Sequence, residues 1–369
     1  VKDIVLITGG GGFIGRRVAR ELLDGGFEVR VLDSLVDQVH GGRPAVLPDR
    51  AEFICGDIRD ANAVRHALNG VGLVVHLAAE VGVGQSMYEI ERYVGANDYG
   101  TAVLLQEIAA QPVRRIVVAS SMSVYGEGLY RDAAGGIHDD VRRDRSRIQA
   151  RLWDPATRSG DPLLPVPTNE DKPVELASIY ALTKFAQERA VLIFAEAYGI
   201  DAVALRLFNV FGPGQALSNP YTGVLANFAA RLINGEPPLI FEDGAQRRDF
   251  VHVQDVARAF ALALRKPEAR GNVINIGSGR AYTISSVARL LAEAMEVPDM
   301  KPEILGKARV GDIRHCFADI SRARALLDFE PEHLLEDSLV ELADWVRRSG
   351  AVDRGAEMKR HLEERGLVS

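Results

Sequence analysis

The chain is poor in cysteine. Cys55 and Cys316 are the only two in 369 residues, and neither has a CxxC partner. That spacing gives no basis for a zinc site, so no metal is expected, and a reducing, cytoplasmic setting fits. Cys55 ends an apolar run and reads as a small buried residue. Excess positive charge is also missing: the formal net charge of -7 argues against a general nucleic-acid binder. No stretch approaches the roughly 20 apolar residues of a membrane span, so no membrane partner is expected. A strand begins at once at the N-terminus, so no signal peptide is expected before it. What remains, 47% hydrophobic and 26% charged residues, is ordinary for a globular enzyme.

Glycine and apolar runs set the architecture. Short runs at Lys2–Thr8, Glu28–Leu32, Glu52–Cys55, Gly72–Leu77, Arg115–Ser120 and Ala202–Leu207 read as buried parallel strands. Helical spacing marks Phe13–Leu23 and Ile179–Tyr198 between them. Strands alternating with helices predict an α/β fold, a doubly wound parallel sheet with a smaller C-terminal lobe. The expected division is residues 1–205 for the sheet domain, with an insertion at about 128–170, and 206–369 for the lobe. A segment near 249–265 is expected to return to the sheet domain. Beyond Gly350 the charged periodicity reads as a solvated helix. The insertion carries His138-Asp139-Asp140-Val141-Arg142-Arg143-Asp144-Arg145. It reads as a solvated surface element or, as long structured loops often do, as a lid over a substrate mouth.

Two constellations carry chemistry. Gly9, Gly12 and Gly15 form GxxGxxG between the first strand and helix, with Phe13 and Ile14 inside it. Without Cβ atoms the backbone can turn tightly and approach a pyrophosphate at the helix N-terminus. Asp33, 18 positions after Gly15, ends the second strand. Its carboxylate can accept from both ribose hydroxyls and repels a 2′-phosphate, which predicts NAD rather than NADP. Asp57 follows the third strand on the adenine side. The second constellation is Tyr180 and Lys184, at i and i+4 of one helix, so both side chains leave the same face. A free phenol, with a pKa near ~10, is a poor base at neutral pH; the ammonium and a cationic nicotinamide ring are expected to lower it. Ser121, with Ser123 second, ends a strand where a hydroxyl can bond a reacting substrate oxygen and the Tyr180 hydroxyl.

These residues resemble the extended short-chain dehydrogenase/reductase family of nucleotide-sugar epimerases and dehydratases. The resemblance runs from about Ile4 to Phe329. It rests on TGGGGFIG (8–15), VLDSL (31–35), GDIRD (56–60), HLAA (76–79), SSMSVYG (120–126), YALTK (180–184), LRLFNVFGPGQ (205–215), RRDFVHVQDVA (247–257), NIGSG (275–279) and RVGDIRH (309–315). It implies Ser121, Tyr180 and Lys184 as the catalytic set. It also implies NAD contacts at Asp33, Asp57, Ile58, Leu77, Ala78, Ala79 and Asn97. A dTDP- or UDP-linked diphosphate sugar is implied as substrate, with Asn209 at the diphosphate and sugar, Gly223-Val224 by the nucleobase and Gln246 by the ribose. Arg248 and Arg309 would neutralise the diphosphate, as bidentate guanidinium forks can. Asp312 would orient Arg309, and Gln85, Ser86 and Ser123 would touch the sugar. A homodimer, through the Tyr180 helix and the helix near Glu89–Ala110, is implied as well.

Two departures narrow the chemistry. Family dehydratases carry Thr-Asp-Glu where this chain has Ser121-Met122-Ser123, so the acid and base for water elimination are missing. Galactose-type epimerases tend to carry a Lys where this chain has Val81. The segments at 32–42, 81–90 and 212–224, with the long insertion, resemble the dTDP-L-rhamnose 4-epimerase subgroup.

Overall fold

The computed structural model describes residues 3–42, 44, 46–217, 223–309, 311–349, 360–361 and 363–368. Seven parallel strands form its central sheet: β1 (Ile4–Thr8), β2 (Glu28–Asp33), β3 (Glu52–Cys55), β4 (Val71–His76), β5 (Arg115–Ser121), β6 (Asp201–Leu207) and β7 (Val273–Ile276). Their spatial order is β7-β6-β5-β4-β1-β2-β3. The chain winds outward from β1 to β3, then crosses back to β4 on the other side of β1. That reversal opens a crevice at the carboxyl ends of β1 and β4, where ligands of such sheets bind.

Alternation along the strands sends side chains into two cores. Val5 and Ile7 of β1 pack under α1 (Phe13–Asp24), while Leu6, between them, joins the core on the opposite face. That second core is closed by α2 (Ala61–Leu68), α3 (Gly100–Ala110) and α4 (Ile179–Tyr198). All seven residues of β5 are buried, as a central strand covered on both faces requires. Helix α4 starts where Ser178 caps it, its Oγ accepting from the Ala181 N–H at 3.1 Å, and ends at Gly199 in the left-handed region (φ 68). Beyond β6, α5 (Val224–Ile233), α7 (Ile284–Ala294) and α9 (Leu335–Ser349) enclose a third core around Phe211 and Phe250. Between them, α6 (Val253–Arg265) packs on the α1 side of the sheet, and α8 (Ser321–Leu327) adds Ala323 and Leu327 there. Residues after 206 therefore also supply the edge strand β7, beside β6.

Two sequence expectations change and one falls outside the described residues. Cys55 is exposed, because β3 is the outermost strand and three of its four residues are open to solvent. Residues 350–359, the start of the predicted terminal helix, lie outside the described residues. The insertion is neither wholly solvated nor a free flap. Leu129–Arg131 forms the middle of a three-stranded antiparallel sheet with Ile137–His138 and Leu164–Val166. Tyr130 beneath it is fully buried. The Thr168 N–H donates to the Phe317 carbonyl at 2.8 Å and the Gly128 N–H to that of His315 at 2.8 Å. Arg143 donates to Glu242 at 2.5 Å, and the fully buried Arg314 donates to Asp154 at 2.7 Å and Glu242 at 2.9 Å. The insertion is thus a brace between sheet and lobe, although many of its residues, Arg142 among them, stay exposed.

Among the described residues no helix is long and apolar enough to cross a membrane.

Candidate active site

A cleft of about 720 Å³ runs along the carboxyl edge of the sheet. At one end the glycine turn joins β1 to α1. A Cβ on Gly9 (φ 69) would come within 2.8 Å of the Ala78 backbone, and one on Gly15 within 2.6 Å of the Gly9 carbonyl oxygen. Both glycines are therefore required by the fold itself. Gly12 differs, since its nearest neighbour would be the Gly9 oxygen at 3.4 Å. Space remains there at the N-terminus of a twelve-residue helix, as a diphosphate needs. Asp33 accepts from the N–H groups of Gly11 (2.9 Å) and Leu35 (2.8 Å), with His40 Nε2 at 3.6 Å. The carboxylate keeps lone pairs for ribose hydroxyls, because each oxygen can accept twice. Asp57 is held bidentately by Arg59 (2.9 and 2.6 Å), which lowers its pKa, mainly through that side-chain pairing. Phe13, Ile14, Ile58, Leu77, Ala78 and Ala79 complete this half of the wall. The residues present fit a dinucleotide.

At the other end, Ser121, Tyr180 and Lys184 meet. Ser121 closes β5, and its hydroxyl accepts from the Ser123 N–H (3.2 Å) and the Ser123 hydroxyl (2.9 Å). Tyr180 hydrogen-bonds Ser121; burial pushes its pKa up and that bond pulls it back in part. This reverses the expected lowering of the phenol's pKa. Burial is the cause; the Lys184 ammonium, for its part, donates to Gln187 Oε1 at 2.7 Å. Burial also pushes the Lys184 pKa down to about 7, with Glu188 opposing. The edge of Tyr93 packs on the Tyr180 ring at 6.4 Å between centroids and 84° between planes. The N–H of Tyr180 is taken by Ser86 Oγ at 3.0 Å, and that hydroxyl donates to Val83 O at 2.7 Å.

Not every implied residue reaches the cleft wall. Asn209, Ser123, Gly223 and Val224 line it, whereas Gln85, Ser86, Asn97, Gln246, Arg248, Arg309 and Asp312 do not. Asn97 sits in a π-helical turn, Val94–Tyr99, and its amide is spent on the Glu80 backbone (2.7 and 3.1 Å) and Thr183 Oγ1 (2.9 Å). Gln85 exchanges hydrogen bonds with Gln38 at 2.9 and 3.2 Å. Gln246 donates to the Phe241 carbonyl at 2.8 Å, and Arg248 to the carbonyls of Arg247, Ile313 and Arg314. Arg309 pairs bidentately with Asp312 (2.9 and 3.1 Å) and lies 4.6 Å over the Phe241 ring. Arg16, next after Gly15, was missed by sequence reasoning. It lines the cleft and donates to Gly214 O at 2.6 Å, tying α1 to the loop after β6. Its adjacency to the glycine turn was the only available signal. Among the described residues no group of three or more His, Cys, Asp or Glu could hold a metal ion.

His76 lies under this site, and burial together with the Lys184 charge drives its pKa down to about 3. The unfolded chain, with an ordinary histidine near 6.5, takes up a proton between those values that the folded chain does not. This group's contribution to stability therefore shrinks as the pH falls from about 6.5 toward 3. Histidine side-chain NMR is expected to show the His76 imidazole neutral from pH 8 to 5, together with His252, which burial lowers to about 4; titration of all eight near 6.5 would contradict this burial.

A glycine turn at the switch point of a parallel sheet, an acidic residue ending β2 and a Ser–Tyr–Lys set at the same edge define an extended short-chain dehydrogenase/reductase. The chain belongs to the NAD-dependent epimerase/dehydratase family, whose sequence profile matches residues 5–146 and 154–277, and NAD is its cofactor. The dTDP-L-rhamnose 4-epimerase of Burkholderia thailandensis is 37% identical over 349 residues, 93% of this chain and 94% of that protein. Among solved structures, the UDP-glucose 4-epimerase of Thermotoga maritima with UDP-glucose aligns with a TM-score of 0.77 and 30% identity, over 94% of this chain and 99% of that one. The Thermus thermophilus UDP-glucose 4-epimerase with NAD aligns at 0.75 and 28%, with the same coverage.

Proposed function

We propose that this enzyme is a nucleotide-sugar 4-epimerase that converts dTDP-L-rhamnose to dTDP-6-deoxy-L-talose. The observation that carries the reaction is one cleft lined both by the glycine cradle and by Ser121, Tyr180 and Lys184. The substrate reading is supported by the 37% identity to the Burkholderia thailandensis dTDP-L-rhamnose 4-epimerase over nearly the whole of both chains. The UDP-glucose 4-epimerases named above are 28–30% identical.

NAD, when bound along Gly9–Gly15 and Asp33, supplies a site that takes hydride from the sugar C4 and gives it back. Tyr180 accepts the proton of the 4-hydroxyl and later returns it, with Ser121 bonding the same sugar oxygen. Lys184, as an ammonium, favours the phenolate form of Tyr180 electrostatically. Return of the hydride to the opposite face of the flat 4-keto sugar would invert C4 with no net redox change. Elimination of water is disfavoured, because Met122 and Ser123 have no carboxyl group to act as acid or base. Exposed Val94, Tyr99, Leu182, Ile193 and Tyr198 on the α3–α4 side of the molecule support a homodimer through those helices.

The test is proton NMR of the sugar after incubation without added reductant, with dTDP-L-rhamnose and separately with UDP-glucose and UDP-glucuronate. A C4-inverted product from dTDP-L-rhamnose alone is expected. Inversion of a UDP-sugar instead would keep the chemistry and overturn the substrate.

A further inference from the structure

Lys184 is held by a side chain that no motif marks. Gln187, one turn further along α4, is 1% exposed and lies between Lys184 and a polar cluster at the end of β4. Its Nε2 is 3.2 Å from the Ala78 carbonyl and 2.9 Å from Thr101 Oγ1.

The protons in this cluster can be assigned one by one. Thr101 Oγ1 donates to the Asn97 carbonyl, so it can only accept from its other neighbours. His76 Nε2, 2.9 Å away, must then be a donor to Thr101. Thr8 Oγ1 already accepts from the Ala78 N–H at 3.3 Å, and its own proton goes to His76 Nδ1 at 2.7 Å. His76 is thereby a neutral imidazole with its proton on Nε2, in keeping with its burial beside an ammonium. The two hydrogens of Gln187 Nε2 go to Ala78 O and Thr101 Oγ1. The 3.2 Å approach of Gln187 Nε2 to His76 Nε2 is two donors converging on one oxygen. A flipped amide would set Oε1 against the Ala78 carbonyl and an NH2 group against the ammonium. The amide orientation is fixed, with Oε1 on Lys184.

Other charged or titratable groups facing Lys184 are few. His76 on β4 is neutral, and Tyr180 lies one turn back on α4. Glu188 is committed to Arg206 of β6 (2.9 and 2.7 Å) and to Ser120 (2.6 Å). Gln187 is thus a neutral acceptor in place of a counter-ion.

We infer that Gln187 is a positioning residue for the reaction: its carbonyl oxygen, oriented by the bonds of its own NH2 group to Ala78 and Thr101, holds the Lys184 ammonium in place and keeps it protonated beside Tyr180. This inference rests on the reading of Tyr180 and Lys184 as the catalytic pair. A neutral acceptor leaves the ammonium easier to lose than a carboxylate in its place would, so the Lys184 charge depends on this dipole, with the Glu188 carboxylate assisting.

The test compares Gln187→Met, which removes the acceptor at similar volume, with Gln187→Glu, which keeps it and adds charge. Two readouts are taken: the alkaline limb of the pH–kcat profile, and the lysine Cε titration by carbon NMR of the labelled protein alone. The expected result is opposite displacement. Gln187→Met moves both readouts to lower pH and Gln187→Glu to higher pH, by on the order of one to two pH units. The NMR arm needs no turnover, so it judges Gln187 even if no tested sugar is epimerised; such silence would count against the proposed function instead. Unmoved readouts in both variants, or the same drift in both with a lowered Tm, would overturn the inference. Should Gln187→Met fail to fold, the upward displacement in Gln187→Glu is required alone, and its absence is decisive.

Discussion

Turnover in Tyr180→Phe is expected to fall by about 10²- to 10⁴-fold, the range that a positioned acid–base group contributes. The substitution removes one oxygen from a side chain packed under the edge of Tyr93, at the start of a helix capped by Ser178. Nothing in the fold depends on that oxygen, whose hydrogen bond is to Ser121. Circular dichroism, Tm and NAD affinity by fluorescence are therefore expected to stay close to those of the parent. Loss of activity with an intact fold is the signature of a chemical role. Turnover equal to the parent would remove Tyr180 from the mechanism and leave the cleft as a binding site only.

The largest effect on stability is expected at Arg206→Met. Glu188 has no solvent exposure, and both its oxygens are held by Arg206, with Ser120 as the remaining partner. The guanidinium also lies 4.7 Å from the Tyr125 ring centroid. Met replaces much of the volume but strands a carboxylate in the core, which costs about 3–5 kcal/mol. The readout is the urea midpoint, with the slope unchanged. Adding Glu188→Gln to Arg206→Met is expected to recover much of the loss, because no charge then remains to be stranded. A single variant as stable as the parent would mean that the pair is hydrated in solution.

Where the sequence is legible, it is so because the relevant neighbours are close in the chain. Six strands stand out as apolar runs with glycines near their ends, and Tyr180 and Lys184 declare one helical face by their spacing alone. Strand β7 is only four residues long, and it pairs with β6 about 70 positions earlier in the chain. Nothing local distinguishes it from the irregular lobe around it. Gln187 is invisible for the same reason, since Thr101 and Ala78 are 86 and 109 positions away. The insertion misled in another way. A run of alternating charges reads as solvated, and most of its side chains are. Arg143 alone turns inward to Glu242, 99 positions on, and that one pairing changes a surface element into a structural one. Arg248 and Arg309, which the resemblance sets at a diphosphate, are engaged with carbonyls and with Asp312 and do not line the cleft, an arrangement that no local pattern announces.

The brace also bears on how this enzyme can be recombined. A chimaera taking everything after β6 from another relative, to alter sugar preference, would inherit foreign partners for Arg143, Asp154 and Thr168, whose contacts here are Glu242, Arg314 and Phe317. Arg314 is fully buried, so a mismatch there leaves a guanidinium without its carboxylates. The transplantable cassette is the lobe together with residues 127–170, two stretches far apart in the gene that behave as one inheritance.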